Sequence, residues 1–339
     1  MNNLFVYLEI ENGKVEEVSL ELLTKGRKLA GELHCQLEAV AAGNQLSTIG
    51  EQVFPYGVDV LHIFDDKRLY PYTSLPHTSI LVKLFQEEKP QIALMGATSI
   101  GRDLGPRVSS ALFSGLTADC TSLEIGNYEE KKEGKTYENL LYQIRPAFGG
   151  NIIAAIVNPD NRPQMATVRE GVMKKEVYDA NYQGKIVYHE VNQYVSDMDF
   201  VVSIIDRHIE SSKINIKNAA IIVAGGYGMG SKENFELLYD LANTIGGEVG
   251  ASRAAVDAGF AEHERQIGQT GVTVRPKLYI ACGISGQIQH VAGMQESAII
   301  IAINNDSDAP INKIADFVIT GNVEVAIPKM IKYYKKNSK

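Results

Sequence analysis

The sequence predicts an α/β protein of two domains, each with a mainly parallel sheet flanked by helices. The first observation is length, because 339 residues exceed the size at which one hydrophobic core usually serves a whole chain. The second is alternation, since apolar runs of strand length are separated by segments with apolar residues at helical spacing. The third is a strand–loop–helix pattern that recurs several times in the second half.

Four apolar runs in the first hundred residues predict strands, at residues 4–10, 37–42, 58–64 and 91–95. Helical spacing predicts helices between them, one capped by Ser19 and one over residues 79–88. After the fourth strand, Pro106 suits the first turn of a helix that runs through Val108 and Leu112. Residues 140–168 have extended character and predict a sheet extension that closes this domain.

A polar stretch of mixed charge, residues 191–217, marks the expected boundary between the domains. We therefore expect an N-terminal α/β domain over residues 1–195, a linker over 196–217 and a second domain over 218–339. The second domain opens at Ala219 with a strand, a glycine loop and a helix, which is typical of a Rossmann-like fold.

Charge and composition exclude several classes of protein. A net charge of −8 argues against a nucleic-acid surface, which would need a basic face, and the longest apolar runs are too short to span a bilayer. The N-terminus lacks the basic start and long apolar core of an export signal. The three cysteines lie far apart, which favours reduced thiols and a cytoplasmic protein. The seven histidines show no metal-ligand spacing, so we expect no metal site.

A glycine loop follows the first strand of the second domain. Its sequence, VAGGYGMG, allows the backbone to approach a phosphate closely, and Ser231 can cap the next helix. The glycines do not match the register of the dinucleotide fingerprint, and Asp257 lies rather far along the chain for a ribose-binding acid. Taken alone, the loop is explained equally well by a tight turn.

Three further motifs place polar side chains near predicted strand ends. GASRAAVDAG presents Ser252 and Arg253 before a helix, and IGQTG presents Thr270 between an amide and a glycine. YIACGISGQIQHVAGM presents Ser285 near a helix N-terminus, which suits a diphosphate, and His290 one turn later. Each motif alone has a structural explanation, namely an ion-paired arginine, a turn and a hydrogen-bonded histidine.

In their order along the chain, these motifs resemble the alpha subunit of the electron transfer flavoproteins. The order is GGxG, SR-x-AVD-x-G, GQTG, LYIA-x-GISG-x-IQH-x-AG, AIN and AD-F. In the first half, GATSIGRDLGPRV, GLTADC, RPAFGGNI and NRPQMATVR resemble the same family, so the likeness covers nearly the whole chain. The YIACGISGQIQHVAGM block is the most specific of these motifs.

The resemblance implies one FAD on the C-terminal domain, with its ring facing a beta subunit. Arg253 would then lie over the flavin ring, Thr270 would hydrogen-bond near N5, and His290 would donate to the O2 carbonyl. A guanidinium and an imidazole donor suit the negative charge that a flavin carries after accepting one electron. The implied cofactor-binding residues are Gly228, Ser252, Arg253, Gln269, Thr270, Gly283, Ser285, Gly286, Gln287, Gln289, His290, Asn304 and Asp316.

Within that set, the resemblance implies that Ser285 and Gly286 contact the diphosphate and that Asn304 and Asp316 lie by the adenosine. The N-terminal domain would make subunit contacts and hold no cofactor, although its own glycine loop near Gly96 leaves a second nucleotide site open as an alternative. The protein would carry single electrons from an acyl-CoA dehydrogenase-type partner to an acceptor, as an electron carrier rather than a stand-alone enzyme.

Departures from the family pattern leave other functions open. Tyr227 stands where the family usually has Arg, Val272 replaces a common Lys, and Glu170 replaces a usual Pro. The stretch from RDLGPRV to GLTADC resembles alpha subunits of anaerobic bacteria, whose complexes often bifurcate electrons from NADH. A self-sufficient NAD-dependent dehydrogenase and a nucleotide-sensing module without redox chemistry are alternatives from other classes.

Overall fold

The structure is a computed structural model, and it describes residues 3–130, 134–146, 153–207, 216–217 and 219–337. The chain divides into two units, Met1–Arg207 and His208–Lys339. The division falls inside the segment expected to be a linker, residues 196–217, of which residues 208–215 lie outside the described part of the chain. Most of the motif RPAFGGNI also lies outside it.

A parallel sheet forms the centre of the N-terminal unit. In chain order, the strands of this unit are β1 (Leu4–Leu8), β2 (Ile10–Glu11), β3 (Lys14–Val15), β4 (Leu37–Gly43), β5 (Val60–Asp65), β6 (Ile92–Gly96), β7 (Leu116–Cys120), β8 (Ser122–Glu130), β9 (Lys135–Pro146), β10 (Ile153–Ile156), β11 (Gln164–Val168) and β12 (Lys185–Tyr188). Seven of these described strands form one sheet in the order β12-β5-β4-β1-β6-β11-β7, and all its pairs are parallel.

Helices lie between these strands, as the alternating pattern predicts. The α-helices of the unit are α1 (Glu17–Glu32), α2 (Ile49–Val53), α3 (Ser74–Glu88) and α4 (Ser99–Ala111). Short 3-10 helices cover Phe54–Tyr56, Lys67–Leu69, Val191–Gln193 and Asp197–Phe200.

The two faces of the N-terminal sheet carry separate hydrophobic cores, because alternate residues of a strand point to opposite faces. In β1, Leu4, Val6 and Leu8 lie in the core that α1 covers. Phe5 and Tyr7 lie in the core that α3 and α4 cover. Burial on both faces explains why this strand has a continuous apolar run rather than an alternating pattern.

An antiparallel sheet accounts for part of the extended region between residues 116 and 168. Strands β8, β9 and β10 pair with one another in antiparallel fashion, whereas β11 returns to the parallel sheet between β6 and β7. The expected sheet extension is therefore divided between two sheets.

Helix α1 begins at Glu17, so the expectation that Ser19 caps it is wrong. Ser19 lies inside the first turn, where its hydroxyl accepts a hydrogen bond of 2.9 Å from the backbone N–H of Glu9. This bond joins the helix to the residue that follows β1. Serine hydroxyls bind nearby backbone groups in several ways, so the sequence pattern does not distinguish a cap from such a link.

Helix α4 begins at Ser99, so Pro106 lies within the helix rather than in its first turn. Thr98 caps the helix, because its hydroxyl accepts a hydrogen bond of 3.1 Å from the Gly101 N–H. Pro106 is on an exposed face, where water can satisfy the carbonyl that loses its helical partner. A Cβ on Gly101 would come within 1.9 Å of the Gly96 oxygen, so this glycine permits close packing of helix on strand.

The C-terminal unit contains a second parallel sheet. Its strands are β13 (Ile221–Gly225), β14 (Glu248–Ala251), β15 (Leu278–Cys282), β16 (Ile300–Asn304) and β17 (Phe317–Thr320), in the spatial order β14-β13-β15-β16-β17. All these pairs are parallel. The chain continues from β13 to β14 on one side of the sheet and then to β15 on the other. In open parallel sheets, ligands bind where the strand order reverses in this way, beyond the carboxyl ends of the strands.

Two long helices and several short ones surround this sheet. They are α5 (Lys232–Ile245), α6 (Arg253–Asp257), α7 (Ile288–Val291) and α8 (Val323–Asn337), with 3-10 helices at Tyr227–Met229, His263–Arg265 and Pro310–Lys313. Helices α5 and α8 pack on one face, and Ser231 caps α5 as the sequence predicts. The other face is covered by connecting segments that contribute Ile267, Ile284 and Ile311.

The predicted fold class is confirmed, since both units have mainly parallel sheets flanked by helices. None of the helices in the described ranges combines the length and the apolar character that crossing a membrane requires.

Glu9 carries a buried carboxyl group at the carboxyl end of β1. It is 4% exposed, and one carboxyl oxygen accepts a hydrogen bond of 2.8 Å from the Thr98 hydroxyl. Gly96 leaves room for this group, because a Cβ there would come within 2.7 Å of the same oxygen. Burial raises the pKa of Glu9 to about 7; the Thr98 hydrogen bond opposes the shift, and the charges of Glu170 and Glu16 add to it.

We predict that Glu9→Gln reduces the pH dependence of stability. The folded state raises the pKa of Glu9, so the wild-type free energy of unfolding falls as pH rises from 4.5 to about 7. The titration of Glu9 can lower the free energy of unfolding by about 3 kcal/mol at most. Chemical denaturation at pH 5 and pH 8 measures it, with Glu32→Gln, at an exposed position, as the control. Equal pH slopes for wild type and Glu9→Gln would contradict the prediction.

Candidate functional site

The carboxyl ends of the C-terminal sheet enclose a cavity of about 690 Å³. Residues that follow β13, β14, β15 and β16 line it, because parallel strands bring their carboxyl ends to one edge. Its volume lies in the range of roughly 300–1,000 Å³ that is typical of small-molecule sites. Twelve of the thirteen residues expected to bind the cofactor line this cavity: Gly228, Ser252, Arg253, Gln269, Thr270, Gly283, Ser285, Gly286, Gln287, Gln289, His290 and Asn304.

Asp316 is not among the residues that line the cavity, and the structure corrects the expectation for it. It immediately precedes β17, at the amino end of the sheet and thus opposite to the cavity. Its carboxylate accepts a hydrogen bond of 2.8 Å from the backbone N–H of Ile300, the first residue of β16. Asp316 therefore joins the starts of two strands.

The glycine loops after β13 and β15 contact each other backbone to backbone. Gly226 donates its N–H to the Cys282 oxygen at 2.9 Å, and Gly228 donates to the Gly283 oxygen at 3.0 Å. A Cβ on Gly226 would lie 2.1 Å from the Gly283 oxygen, and one on Gly228 would lie 2.7 Å from it. The glycines are thus required for this contact, and the N–H of Gly228 is already used within the protein.

Backbone N–H groups that follow β15 suit an anionic ligand. Across the ranges that the structure describes, the N–H groups of Ser285, Gly286 and Gln287 donate to no protein acceptor. All three residues line the cavity. Consecutive N–H groups of this kind bind phosphate oxygens, so the residues present fit a diphosphate. Helix α7 has only 4 residues, so the dipole contribution expected from the sequence is small.

Thr270 is held by Gln266, a buried residue that also lines the cavity. The Gln266 side-chain amide donates a hydrogen bond of 3.0 Å to the Thr270 hydroxyl oxygen. Because Thr270 accepts this bond, its hydroxyl proton remains for a ligand acceptor. Gln266 was not predicted as a site residue, although it directly precedes the motif IGQTG.

Arg253 is the first residue of α6, which Ser252 caps through its hydroxyl oxygen. The Arg253 Nε lies 3.4 Å from a carboxylate oxygen of Asp257, and the two side chains are 69% and 66% exposed. Such an exposed pair is weak, so a ligand can compete for the guanidinium. Arg253 is the only Lys or Arg among the described residues that line the cavity.

His290 lines the cavity but has both ring nitrogens engaged within the protein. Its Nδ1 lies 3.0 Å from the Ile267 carbonyl oxygen, and its Nε2 lies 2.9 Å from the Tyr279 hydroxyl. Burial lowers the pKa of His290 to about 4, so the imidazole is neutral at pH 7. Both ring nitrogens thus have partners within the protein, and the hydrogen bond from His290 to the flavin O2 carbonyl, which the resemblance implies, stays a prediction.

Asn304 joins two loops at the carboxyl end of β16. Its side-chain amide donates a hydrogen bond of 2.9 Å to the Ile284 oxygen, and its side-chain oxygen accepts one of 3.0 Å from the Asp306 N–H. These bonds fix the side chain and leave one amide hydrogen for a ligand.

Several lining residues were not expected from the sequence as site residues. Tyr227 appeared there only as a departure from the family pattern; its ring is 66% exposed and stacks on Phe260 at a centroid distance of 5.9 Å. Asp306 could have been inferred, because it follows Asn304 on the same loop. The remaining lining residues are Ala254, Asp257, Gln266, Ile267, Gly268, Ile284 and Ala309. In the parts of the chain that the structure describes, no three His, Cys, Asp or Glu side chains form a metal-binding group.

The open parallel sheet, its glycine loops and the cavity beyond its strand ends define a dinucleotide-binding α/β domain. Residues 215–295 match the family model described as the electron transfer flavoprotein FAD-binding domain, and residues 4–194 match the electron transfer flavoprotein domain. The chain belongs to the electron transfer flavoprotein alpha-subunit family, and its cofactor is FAD.

Relatives of similar length support this assignment. An electron transfer flavoprotein subunit alpha of Thermoanaerobacterium thermosaccharolyticum is 43% identical, over 98% of this chain and 98% of its own. A protein of the same name from Clostridium acetobutylicum is 45% identical, over 98% and 96%. The acryloyl-CoA reductase electron transfer subunit beta of Anaerotignum propionicum is 40% identical, over 98% and 96%.

We predict that Gln266→Leu weakens FAD binding by about tenfold in dissociation constant. The substitution keeps the size of the side chain but removes the hydrogen bond that holds Thr270, which corresponds to about 1.4 kcal/mol. Fluorescence titration of the apoprotein with FAD measures the effect.

A double-mutant cycle provides the control for this prediction. If Gln266 acts through Thr270, then Gln266→Leu adds little to Thr270→Val, and the two free-energy changes are not additive. Additive changes would show that Gln266 affects binding by another route.

Proposed function

We propose that this chain is the FAD-binding alpha subunit of a heterodimeric electron transfer flavoprotein, which passes single electrons between a dehydrogenase and an acceptor. The observation that carries the proposal is that Arg253, Thr270 and the N–H groups of residues 285–287 line one cavity. A cation and a hydroxyl donor suit a redox-active ring, and a run of backbone N–H groups suits a diphosphate.

Each of these groups then has a chemical task. The Arg253 guanidinium stabilises negative charge on the flavin ring, and the Thr270 hydroxyl donates a hydrogen bond to a ring nitrogen. The N–H groups of residues 285–287 bind the diphosphate, and Asn304 lies toward the adenosine. Bound FAD supplies the one-electron redox chemistry, while the protein binds and orients it. The remaining expected contacts are Ser252, Gln269, Gly283, Gln287 and Gln289.

The proposed partners are an electron transfer flavoprotein beta subunit and an acyl-CoA dehydrogenase-type protein. A relative that is named as the electron transfer subunit of an acryloyl-CoA reductase supports a partner that acts on acyl-CoA. We place the complex in the cytoplasm, since Cys35, Cys120 and Cys282 are all free thiols.

An electron carrier is favoured over a self-sufficient NAD-dependent dehydrogenase by the state of His290. A dehydrogenase of that kind needs a group that gains and loses a proton beside the substrate. His290 is the one imidazole among the described lining residues, and both of its nitrogens are engaged. The alternative of an NADH-dependent bifurcating complex stays open, because its second FAD would lie on the beta subunit.

Co-expression with the beta subunit tests the proposal. We expect a one-to-one complex that retains FAD and lacks dehydrogenase activity of its own. One FAD with one AMP per complex indicates a simple carrier, whereas two FAD with reduction by NADH indicates bifurcation. A chain that is stable and flavin-saturated alone, and that oxidises a substrate with NAD, would overturn the proposal.

We predict that Arg253→Ala lowers the midpoint potential for the first electron by roughly 60 mV or more, because about 1.4 kcal/mol corresponds to 59 mV for one electron. Arg253 is exposed and pairs only weakly with Asp257, so the fold is retained. Spectroelectrochemical titration measures the potential.

Arg253→Lys is the matched control, since it keeps the charge but loses the planar guanidinium. We expect its potential to lie between those of wild type and Arg253→Ala. A wild-type potential in Arg253→Ala would remove Arg253 from the proposed role.

A further inference from the structure

A continuous line of polar side chains crosses the N-terminal unit from its core to its surface. We call it the polar chain, and its members in order are Glu38, His62, His189, Tyr194 and Glu87. Glu38 on β4 and His62 on β5 are 4% and 3% exposed, whereas Glu87 on α3 is exposed to water. His189 follows β12 and stacks on Phe64 at a centroid distance of 4.5 Å.

Four contacts join the members of the polar chain. Nε2 of His62 lies 2.6 Å from Oε2 of Glu38, and Nδ1 of His62 lies 2.8 Å from Nε2 of His189. Nδ1 of His189 lies 3.1 Å from the Tyr194 hydroxyl, which lies 2.7 Å from Oε2 of Glu87. All four distances are those of hydrogen bonds, and each bond requires one proton between its two atoms.

The side chains in their ordinary states supply too few protons for these contacts. Each of the two neutral imidazoles carries one and the tyrosine carries one, so three protons serve four contacts. Water keeps the exposed Glu87 ionised at pH 7, and an ionised carboxylate only accepts. Burial and the hydrogen bond to Glu87 raise the pKa of Tyr194, so its hydroxyl keeps its proton. A fourth proton must therefore be bound.

The fourth proton belongs at the buried end of the polar chain. Burial lowers the pKa of His189 to about 4, and a charge on His62 adds to the shift, so His189 is neutral at pH 7. The side-chain amide of Asn3 donates to Oε1 of Glu38, which leaves Oε2 to face His62. A proton between a carboxylate and an imidazole in such close contact belongs to the pair rather than to either group.

The charges of α3 favour a bound proton. They lie at the outer end of the polar chain, where the charge of Glu88 acts with that of Glu87 to raise the pKa of Tyr194. The ammonium of Lys83 lies 5.3 Å from the centre of the Tyr194 ring. The two carboxylates outnumber the ammonium. At the inner end, β1 contributes the apolar ring of Phe5, stacked on the imidazole of β5 at 5.5 Å.

We propose that the Glu38–His62 pair binds one proton and that this proton sets the direction of the three outer hydrogen bonds of the polar chain. With the proton bound, Nδ1 of His62 donates to His189, Nδ1 of His189 donates to Tyr194, and the Tyr194 hydroxyl donates to Glu87. Without it, Tyr194 donates inward to His189, Nε2 of His189 donates to His62, and the hydrogen bond to Glu87 is lost.

The bound proton thus attaches Tyr194 to α3, and a rise in pH releases it. Tyr194 and Val195 donate their backbone N–H groups to the Val191 oxygen, at 2.8 and 3.1 Å, so the attachment holds the short helix Val191–Gln193. This helix lies between β12 and the point after Arg207 where the N-terminal unit ends. The switch belongs to the N-terminal unit and depends neither on FAD nor on a partner.

Nitrogen-15 NMR of the full chain, labelled at histidine, tests the proposal between pH 6 and pH 10. A coupling across the hydrogen bond between Nδ1 of His62 and Nε2 of His189 identifies the two rings without a substitution. At pH 6 we expect a neutral His189 that is protonated on Nδ1, and at the upper end of the range a His189 that is protonated on Nε2. A proton on Nε2 of His189 at pH 6, or one tautomer throughout, would overturn the proposal.

Glu38→Gln separates the bound proton from the shape of the side chain. Because Asn3 donates to one oxygen of Glu38, the glutamine oxygen will face Asn3 and its NH2 group will donate to His62 at every pH. We expect His189 in this variant to keep its proton on Nδ1 up to pH 10. A reversal like that of the wild type would overturn the proposal, and if the variant does not fold, the wild-type tautomers decide.

Glu87→Gln is the matched control, because it makes the same chemical change at the outer end of the polar chain. Its amide oxygen still accepts from the Tyr194 hydroxyl, so we expect the reversal at His189 to persist. Loss of the reversal in this variant would contradict the placement of the proton at the buried end.

Amide hydrogen exchange tests the attachment itself. At pH 9 we expect the N–H groups of Tyr194 and Val195 to exchange roughly fivefold more slowly in Glu38→Gln than in the wild type, which is the effect of one hydrogen bond. At pH 6 we expect equal rates, because both proteins then donate to Glu87. Equal rates at pH 9 would show that the proton does not control the attachment.

Discussion

The site depends on a single close contact, that between the backbones of the loops after β13 and β15. Gly226 and Gly228 donate to carbonyl oxygens of the β15 loop, at 2.9 and 3.0 Å. Side chains at these positions would push the loops apart, because a Cβ on Gly226 would lie 2.1 Å from the Gly283 oxygen. The contact uses the N–H groups of Gly226 and Gly228, whereas those of residues 285–287 in the second loop remain for a ligand.

The polar groups of the site divide into those that are engaged within the protein and those that are available to a ligand. Gln266 fixes the hydroxyl of Thr270, and two backbone groups fix the amide of Asn304, so both side chains are oriented before a ligand arrives. Preoriented dipoles stabilise charge without reorganisation at the moment when the charge develops. Arg253 is the exception, because its weak, exposed pairing allows it to move toward the ligand.

How far the sequence predicted this protein depends on whether local pattern or tertiary contact decides each feature. The parallel sheets could be predicted from the alternation of apolar runs and helical spacing, whereas most of the cavity residues were implied by the resemblance that the motifs carry. The prediction that Pro106 lies in the first turn of α4 was wrong, because the start of this helix depends on Thr98 and on the packing of a glycine against β6. The prediction that Asp316 lies by the adenosine was wrong, because the motif does not show at which end of the sheet this residue lies. The partners of His290 could not be predicted, since its contact with Tyr279 arises only when β15 and α7 pack together.

The carboxyl ends of the two sheets differ in the polar groups that they carry, and Glu9 contributes to that difference. In the N-terminal unit, the crevice where strand order reverses, between β1 and β6, contains an acid of the protein's own, bonded to the residue that caps α4. A nucleotide phosphate approaching there would meet a carboxyl group and, above pH 7, a like charge. One architecture thus occurs twice in a single polypeptide, with a buried acid at one set of strand ends and free backbone N–H groups at the other.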